Sequence, residues 1–399
     1  MKNRFFLIVL LGLLMTVSPI SIDMYLPAFN QMARALHGSA ADIALSLTSY
    51  FVGLAAGQLF YGPLLDRFGR RVPVLAGLGL YLLATIGCMS AQSVSWLIVA
   101  RFFQAFGGCA AQVGATAMVR DFFPPEESAK IFSMLMLVLG VSPLLAPSIG
   151  NFVVENKGWQ AVFVILFFAN LLIAANVAMF LPEGHRPDPK ISLKIGPIFS
   201  GFASIFADRR FAVYALAGAF SFAGLFVYVT GSPLIFMDHF HLSAGNYSKL
   251  FALLAIGFIG SAQINSLLGK KFKPETVFVW ALGGQCIAGV ALVAVALTGA
   301  TSLPITIALF FIYLSSLGIA SPNASAVALA PFGDIAGSAA ALLGFLQIGA
   351  GAFASSAIGL VHAEGITKVA AVLCVSTLIA AVVLVFGRAK GVSVNRELA

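Results

Sequence analysis

The sequence predicts an all-α polytopic membrane protein, with twelve transmembrane helices in two pseudo-symmetric six-helix bundles. Three observations carry this prediction. Of 399 residues, 60% are hydrophobic and only 10% are Asp, Glu, Lys or Arg, against about 25% charged residues in an ordinary soluble domain. The apolar residues fall into runs of the ~20 residues that a helix needs to cross a bilayer, without the polar alternation of a membrane barrel. The longest polar stretch lies at mid-chain. Inside lipid only helices and closed barrels satisfy every backbone group, so helices are the remaining choice.

Six spans are expected before the polar stretch, near 5–28, 43–64, 72–91, 96–119, 131–153 and 160–181. The first begins after Lys2 and Arg4. Its apolar run continues to Ile22 without a clear small-residue cleavage site, so it reads as an uncleaved span rather than a signal peptide. The second ends in a tight basic loop, Gly62-Pro-Leu-Leu-Asp66-Arg67-Phe-Gly69-Arg70-Arg71. Gly69 permits a sharp turn there, and Asp66 can cap a helix end or pair with the basic residues. The fourth carries Arg101-Phe-Phe-Gln104-Ala-Phe-Gly107-Gly108. In the fifth, Gly140-Val-Ser-Pro143-Leu-Leu-Ala-Pro147-Ser-Ile-Gly150, two prolines remove hydrogen bonds and the glycines allow close helix contact, which predicts a kinked, closely packed helix.

Residues 182–210 hold Glu183, Arg186, Asp188, Lys190, Lys194, Asp208, Arg209 and Arg210 and form the expected cytoplasmic linker. It divides the chain into bundles over 1–181 and 211–399. The second bundle has spans near 211–235, 248–269, 276–298, 303–328, 337–361 and 367–387. The halves echo one another: Phe123-Pro-Pro-Glu-Glu-Ser-Ala leads into span 5, and Phe332-Gly-Asp-Ile-Ala-Gly-Ser-Ala into span 11. Such a parallel repeat is the pattern of a transporter that rocks one bundle against the other around a midplane site.

The net charge of +8 has a topological explanation. Nucleic-acid binding needs a clustered basic face, whereas these basic residues sit in short loops. With both termini cytoplasmic, Arg34, Lys157, Lys249 and Lys368 alone fall outside, Arg101 lies within a span, and the rest of the 23 Lys and Arg lie inside, as the positive-inside rule requires. Cys88, Cys109, Cys286 and Cys374 form no C-x-x-C pair and read as packing residues. No phosphate-binding loop occurs, so the energy source should be an ion gradient rather than ATP. Asp238-His239-Phe-His241 is too sparse a donor set for a metal site. No nucleophile-and-base set suggests an enzyme, and no cofactor is expected.

Ionisable groups inside a span are costly and each needs a reason. Asp23 lies about five residues before the outer end of span 1 and Arg101 about five residues into span 4, which puts both roughly 8 Å below the outer interface at 1.5 Å per residue. Opposite charges at one depth can pair. Asp23 is the better proton site, because Arg is effectively always charged, with Arg101 as the group that tunes it.

The loop from Gly62 to Arg71 resembles the signature loop between helices 2 and 3 of the major facilitator superfamily, with Leu65 where Ala is usual. That resemblance implies the major facilitator fold, and it implies a cytoplasmic lock between the halves formed by Asp66, Arg67, Arg70 and Arg71 around Gly62 and Gly69. The matching loop after span 8, Ser266-Leu-Leu-Gly269-Lys-Lys, lacks the Asp. The Arg101 segment is similar to the family's helix-4 motif, which implies a part in proton coupling. Gly140, Pro143, Pro147 and Gly150 resemble the helix-5 motif of its exporters, with altered spacing. Ser21-Ile-Asp23-Met-Tyr25-Leu-Pro27-Ala, Arg120-Asp121-Phe-Phe and Gly337-Ser-Ala-Ala-Ala-Leu-Leu-Gly344-Phe-Leu-Gln347 together resemble the bicyclomycin-resistance (Bcr/CflA) branch of multidrug:proton antiporters in bacterial inner membranes.

By that resemblance spans 1, 4, 7 and 10 line a central cavity, which implies Tyr25, Gln104, Tyr228 and Tyr313 as substrate-pocket residues. With few charges and 36 Phe, the cavity should suit small amphipathic drug-like molecules. The expected function is proton-driven efflux by a monomer whose partners are drug, protons and bilayer. The alternative is a proton-coupled symporter that imports a small metabolite.

Overall fold

The computed structural model describes residues 4–123, 125–183, 187, 195–269, 271–332, 336–360 and 366–394. Lys2, Arg186, Asp188, Lys190, Lys194, Lys270 and residues 333–335 lie outside the described residues. The first half contains α1 (Arg4–Asp23), a 3-10 turn (Leu26–Ala28), α2 (Phe29–Ala35), α3 (Ala40–Phe68), α4 (Arg71–Met89), α5 (Val94–Phe122), α6 (Pro125–Lys157) and α7 (Gln160–Phe180). Then follow α8 (Ile195–Ala207), α9 (Arg209–Pro233), a π-helical turn (Leu234–His239), α10 (Ala244–Leu268), α11 (Pro274–Leu297), α12 (Leu303–Leu329), α13 (Ala336–Leu360) and α14 (Ile366–Val394).

Helix starts follow from local chemistry. Ser39 and Asp42 form a reciprocal capping box on α3, Ser93 accepts from the Trp96 amide at the start of α5, and Asp208 accepts from the Phe211 amide on α9. Each satisfies an amide that has no partner within its helix. Prolines at the first turn of α11 and α12 replace amides that would be unpaired anyway. Gly69 and Gly158, both at φ +83°, break the chain between α3 and α4 and between α6 and α7, a conformation that costs glycine nothing.

Eleven helices among the described residues are long and apolar enough to cross a membrane. The expected fifth span is occupied by α6, whose 33 residues reach about 50 Å at 1.5 Å per residue. The outer residues suit hydrocarbon: Leu83 is 69%, Ile287 74% and Phe353 71% exposed. Leaving such side chains exposed is favourable only where lipid surrounds them.

Two elements differ from expectation. Span 1 breaks at Asp23, because Pro27 has no N–H to donate to the Asp23 carbonyl and the helix loses that rung. The linker contains a 13-residue helix, α8, too short to cross a bilayer. Its Ile205 is buried with Phe211, Phe278 and Leu282.

The chain forms two compact units, Met1–Ile198 with Ser243–Ala252, and Phe199–Leu242 with Leu253–Ala399. In the first, α5 packs against α3, α4 and α1, and α1 also against α6. Gly77 and Gly107 let α4 and α5 approach backbone to backbone, since a Cβ at Gly77 would lie 2.8 Å from the Gly107 carbonyl oxygen. In the second, α9 packs against α12, α13 and α14, and α11 against α12 and α14.

Candidate functional site

Asp23 is the last residue of α1 and is buried. Its Oδ2 accepts a 3.0 Å hydrogen bond from Ser142 Oγ, 119 residues away on α6. The helix that carries Ser142 also carries Pro143 and Pro147. Pro143 has no N–H for the Leu139 carbonyl, and Pro147 none for that of Pro143, so two rungs are missing. At Gly150, α6 closes on the chain just beyond Asp23: a Cβ there would overlap the Met24 carbonyl. The Pro147 carbonyl also accepts from Ser248 Oγ at 3.0 Å, within the same unit.

Arg101 does not pair with Asp23. Its guanidinium is fully buried, with Nη1 donating to Gln104 Oε1 at 2.7 Å and Nη2 to the Ser21 carbonyl at 3.2 Å. The guanidinium carbon lies 4.5 Å from the Tyr25 ring centre, 4.2 Å from Tyr50 and 5.9 Å from Phe163. Rings at these distances neutralise a desolvated cation in part. The cage is itself braced: Gln104 Nε2 donates to Thr85 Oγ1 at 2.8 Å, Tyr25 OH bonds Ser46 Oγ, and Ser21 Oγ shares a 2.6 Å bond with Tyr81 OH. Ion pairs among the described residues lie elsewhere, at Arg70–Asp66, Arg70–Asp121 and Arg210–Glu275.

At the other end of the unit, Arg70 is the centre of a charge cluster. Its Nη1 reaches Asp66 at 2.6 Å and its Nε reaches Asp121 at 2.7 Å. Burial opposes its charge, but the Asp121 and Asp66 carboxylates outweigh that and hold its pKa above the ordinary arginine value. Glu183, just after α7, accepts from the Arg70 and Arg71 amides, and Arg71 donates to the Ala178 carbonyl. Gly69 is required twice, for its positive φ and because a Cβ would lie 2.6 Å from Glu183 Oε1. Arg67 stacks over Phe68, while Gly62 faces open space.

The four residues expected to line a substrate pocket are buried inside their own units. Tyr25 and Gln104 belong to the arginine cage. Tyr228 packs on Phe310 with ring centres 5.6 Å apart. Tyr313 is fully buried, its hydroxyl against Gly224, where a methyl group would overlap it. Nearby helices of that unit are clamped by Gln285, which accepts from Ser221 Oγ at 2.6 Å and donates to the Ser221 carbonyl at 3.0 Å.

The Major Facilitator Superfamily model matches residues 11–356 of this sequence. The chain belongs to the major facilitator superfamily. It is 33% identical over 361 residues to the uncharacterized MFS-type transporter YdgK of Bacillus subtilis, covering 90% of each chain. It is 32% identical over 357 residues to a bicyclomycin resistance protein homolog of Haemophilus influenzae, covering 90% of this chain and 89% of the relative. In structure it is similar to a D-xylose-proton symporter, with a TM-score of 0.72 at 17% identity over 94% of this chain and 96% of the other. That likeness carries the fold.

Membership makes the chain a multi-pass membrane transporter and not an enzyme. Ser142, Tyr50, Ser21 and Glu183 are site residues to which the sequence motifs gave no role, although Ser21 and Ser142 lie within those motifs. Ser142 had a signal of its own, as a hydroxyl immediately before Pro143. Ser21 stood in the segment around Asp23 without a role of its own, and Tyr50 had no signal, since a Tyr in a span is most often an interhelical bonding partner.

Proposed function

We propose that this superfamily member exports small amphipathic drug-like molecules across a bacterial inner membrane by proton-driven alternating access, with both termini cytoplasmic. Asp23 carries the proton, and no other cofactor takes part. The observation that carries this reading is the buried Asp23 carboxyl, held by one hydroxyl at 3.0 Å and without a cation on it among the described residues. A buried carboxylate in that setting is expensive, and a proton is the partner it can gain from water and lose again. The names of the relatives, a bicyclomycin resistance protein homolog and multidrug resistance proteins, support drugs as cargo.

Arg101, locked in its aromatic cage, keeps a fixed positive field in the same bundle, which favours proton release from Asp23 once the pathway opens. The Arg70 cluster and the loop from Gly62 to Arg71 form the cytoplasmic gate, and Gly140, Pro143, Pro147 and Gly150 supply the bending helix. Tyr25 and Gln104 in the first unit and Tyr228 and Tyr313 in the second are the residues proposed to contact the substrate. One proton crossing the membrane potential yields ~2.3 kcal/mol per 100 mV, enough for useful accumulation with one or two protons per cycle.

The test uses energy-depleted inside-out vesicles preloaded with acid and a pH-sensitive dye. A transported drug releases lumenal protons in vesicles that contain the protein. Asp23→Asn vesicles, with equal protein in the membrane, do not respond. Undiminished drug-dependent release from that variant overturns the assignment of Asp23, and proton-linked uptake of a metabolite without any drug response turns the reading to import.

A further inference from the structure

We propose that Ser142 is the positioning residue through which Asp23 controls α6, so that the proton is read by the proline-broken helix and not by Arg101. The inference rests on Asp23 as the proton site and adds the step that converts its state into motion. Ser142 and Asp23 are both buried, and their 3.0 Å bond joins α6 to the end of α1. The charged and titratable groups of the neighbouring helices are engaged elsewhere. Arg101 on α5 is held by Gln104 and Ser21, the Tyr25 hydroxyl by Ser46 and the Tyr81 hydroxyl on α4 by Ser21. Tyr50 on α3 lies with its ring on Arg101. No Asp, Glu, Lys, Arg or His occurs in α7. On α6 itself Glu126, Glu127 and Lys130 lie at least twelve residues before Ser142 and Glu155 and Lys157 at least thirteen after it, each about 18 Å or more along the helix.

The geometry of α6 explains why it responds. The helix is pinned to the same turn of chain at two points, Ser142 on Asp23 and Gly150 on Met24. Both prolines lie between the pins. The Gly150 contact is steric and takes no notice of charge. The Ser142 contact is chemical: an ionised carboxylate accepts a charge-assisted hydrogen bond, roughly twice as strong as the neutral kind, whereas a protonated one loses that advantage. Proton uptake therefore slackens one pin while the other holds, and the segment between them already lacks two rungs. Release of the proton pulls the helix back.

The experiment is deuterium exchange of the 139–151 segment in the full chain in lipid nanodiscs, at acidic and alkaline pH, corrected for intrinsic exchange. In the natural protein the segment exchanges about tenfold more slowly at alkaline pH, the ratio that one charge-assisted bond implies. In Ser142→Ala the difference disappears, and Ser142→Thr, which keeps the hydroxyl, restores it. In Asp23→Asn it is absent, and adding Ser142→Ala changes nothing further. A pH-dependent segment in Ser142→Ala overturns the proposal, as does an equal effect of Ser142→Ala in the Asp23→Asn background. Should Ser142→Ala lose its fold, Ser142→Cys, of similar size and a poor donor, takes its place with the same expected loss. The two readings fail separately: drug-driven proton release surviving in Asp23→Asn removes the proton site, whereas its loss there alongside a pH-dependent Ser142→Ala segment removes only the role of Ser142.

Discussion

Arg101 and Tyr50 are stacked, with the guanidinium carbon 4.2 Å from the ring centre, while Asp23 bonds to a serine on another helix. The two opposite charges deep in the spans of this unit are each satisfied by neutral groups. The cation is stabilised by ring faces and two oxygens, in a fixed place. Among the described residues the carboxyl accepts from a single hydroxyl, that of Ser142.

The cage should distinguish charge from shape. Arg101→Lys keeps the charge, but a compact ammonium cannot reach Gln104 and the Ser21 carbonyl while lying flat on Tyr50. We expect a loss of about 1–3 kcal/mol of stability, read as a lower melting temperature in detergent. Tyr50→Phe, which keeps the ring, should stay within ~0.5 kcal/mol of the natural protein, and Tyr50→Leu should resemble Arg101→Lys.

The pin at Gly150 is a matter of volume. Gly150→Ala sets a methyl group into the Met24 carbonyl, and backbone cannot yield as a flexible side chain can. Overpacking of this kind costs about 1–3 kcal/mol. Gly62→Ala, in open space, should leave the melting temperature unchanged. Equal melting of both variants would contradict the close approach of α6 to the chain beyond α1.

Arg70 should tolerate no replacement by lysine. Its fork holds Asp66 and Asp121 at once, and Arg70→Lys leaves one carboxylate short of a donor, for about 1–3 kcal/mol. Because Arg70 is buried at the joint, the loss should persist in high salt, unlike that of an exposed pair. Arg210–Glu275, with Arg210 half exposed, serves as the control: Glu275→Gln should cost less than ~1 kcal/mol, and less still in salt.

In the second unit, Ser221→Ala strands the buried Gln285 carbonyl, at an expected ~1–3 kcal/mol. Ser221→Ala with Gln285→Leu removes both partners and should recover much of the loss. A double-mutant cycle by thermal melting checks this, and strict additivity would refute the clamp.

Much of this molecule was legible in the chain. Hydropathy and breaker residues pointed to eleven apolar helices that the described residues contain, because a membrane helix must supply ~20 apolar residues locally and needs no distant partner for its backbone; at the fifth position stands the longer α6. Asp23 and Arg101 stood out because charge in a span is rare. Helix α8 was hidden, since its 13 residues are too few for a span and its apolar face matters only once Ile205 meets Phe211 and Phe278.

The sequence by itself determined the apolar spans, their order, the charge in each loop and the two ionisable groups at depth, but not α8 or the break of α1 at Asp23. The tertiary structure alone decided the partners: Ser142 for Asp23, two tyrosines for Arg101, Glu183 for the Arg70 loop, and Gly224 beneath the Tyr313 hydroxyl. The reason is geometric. Depth in the membrane is counted along one helix at 1.5 Å per residue, whereas partnership depends on the rotation of each helix about its axis and on which small residues let two backbones close. Those quantities exist only after the helices have packed.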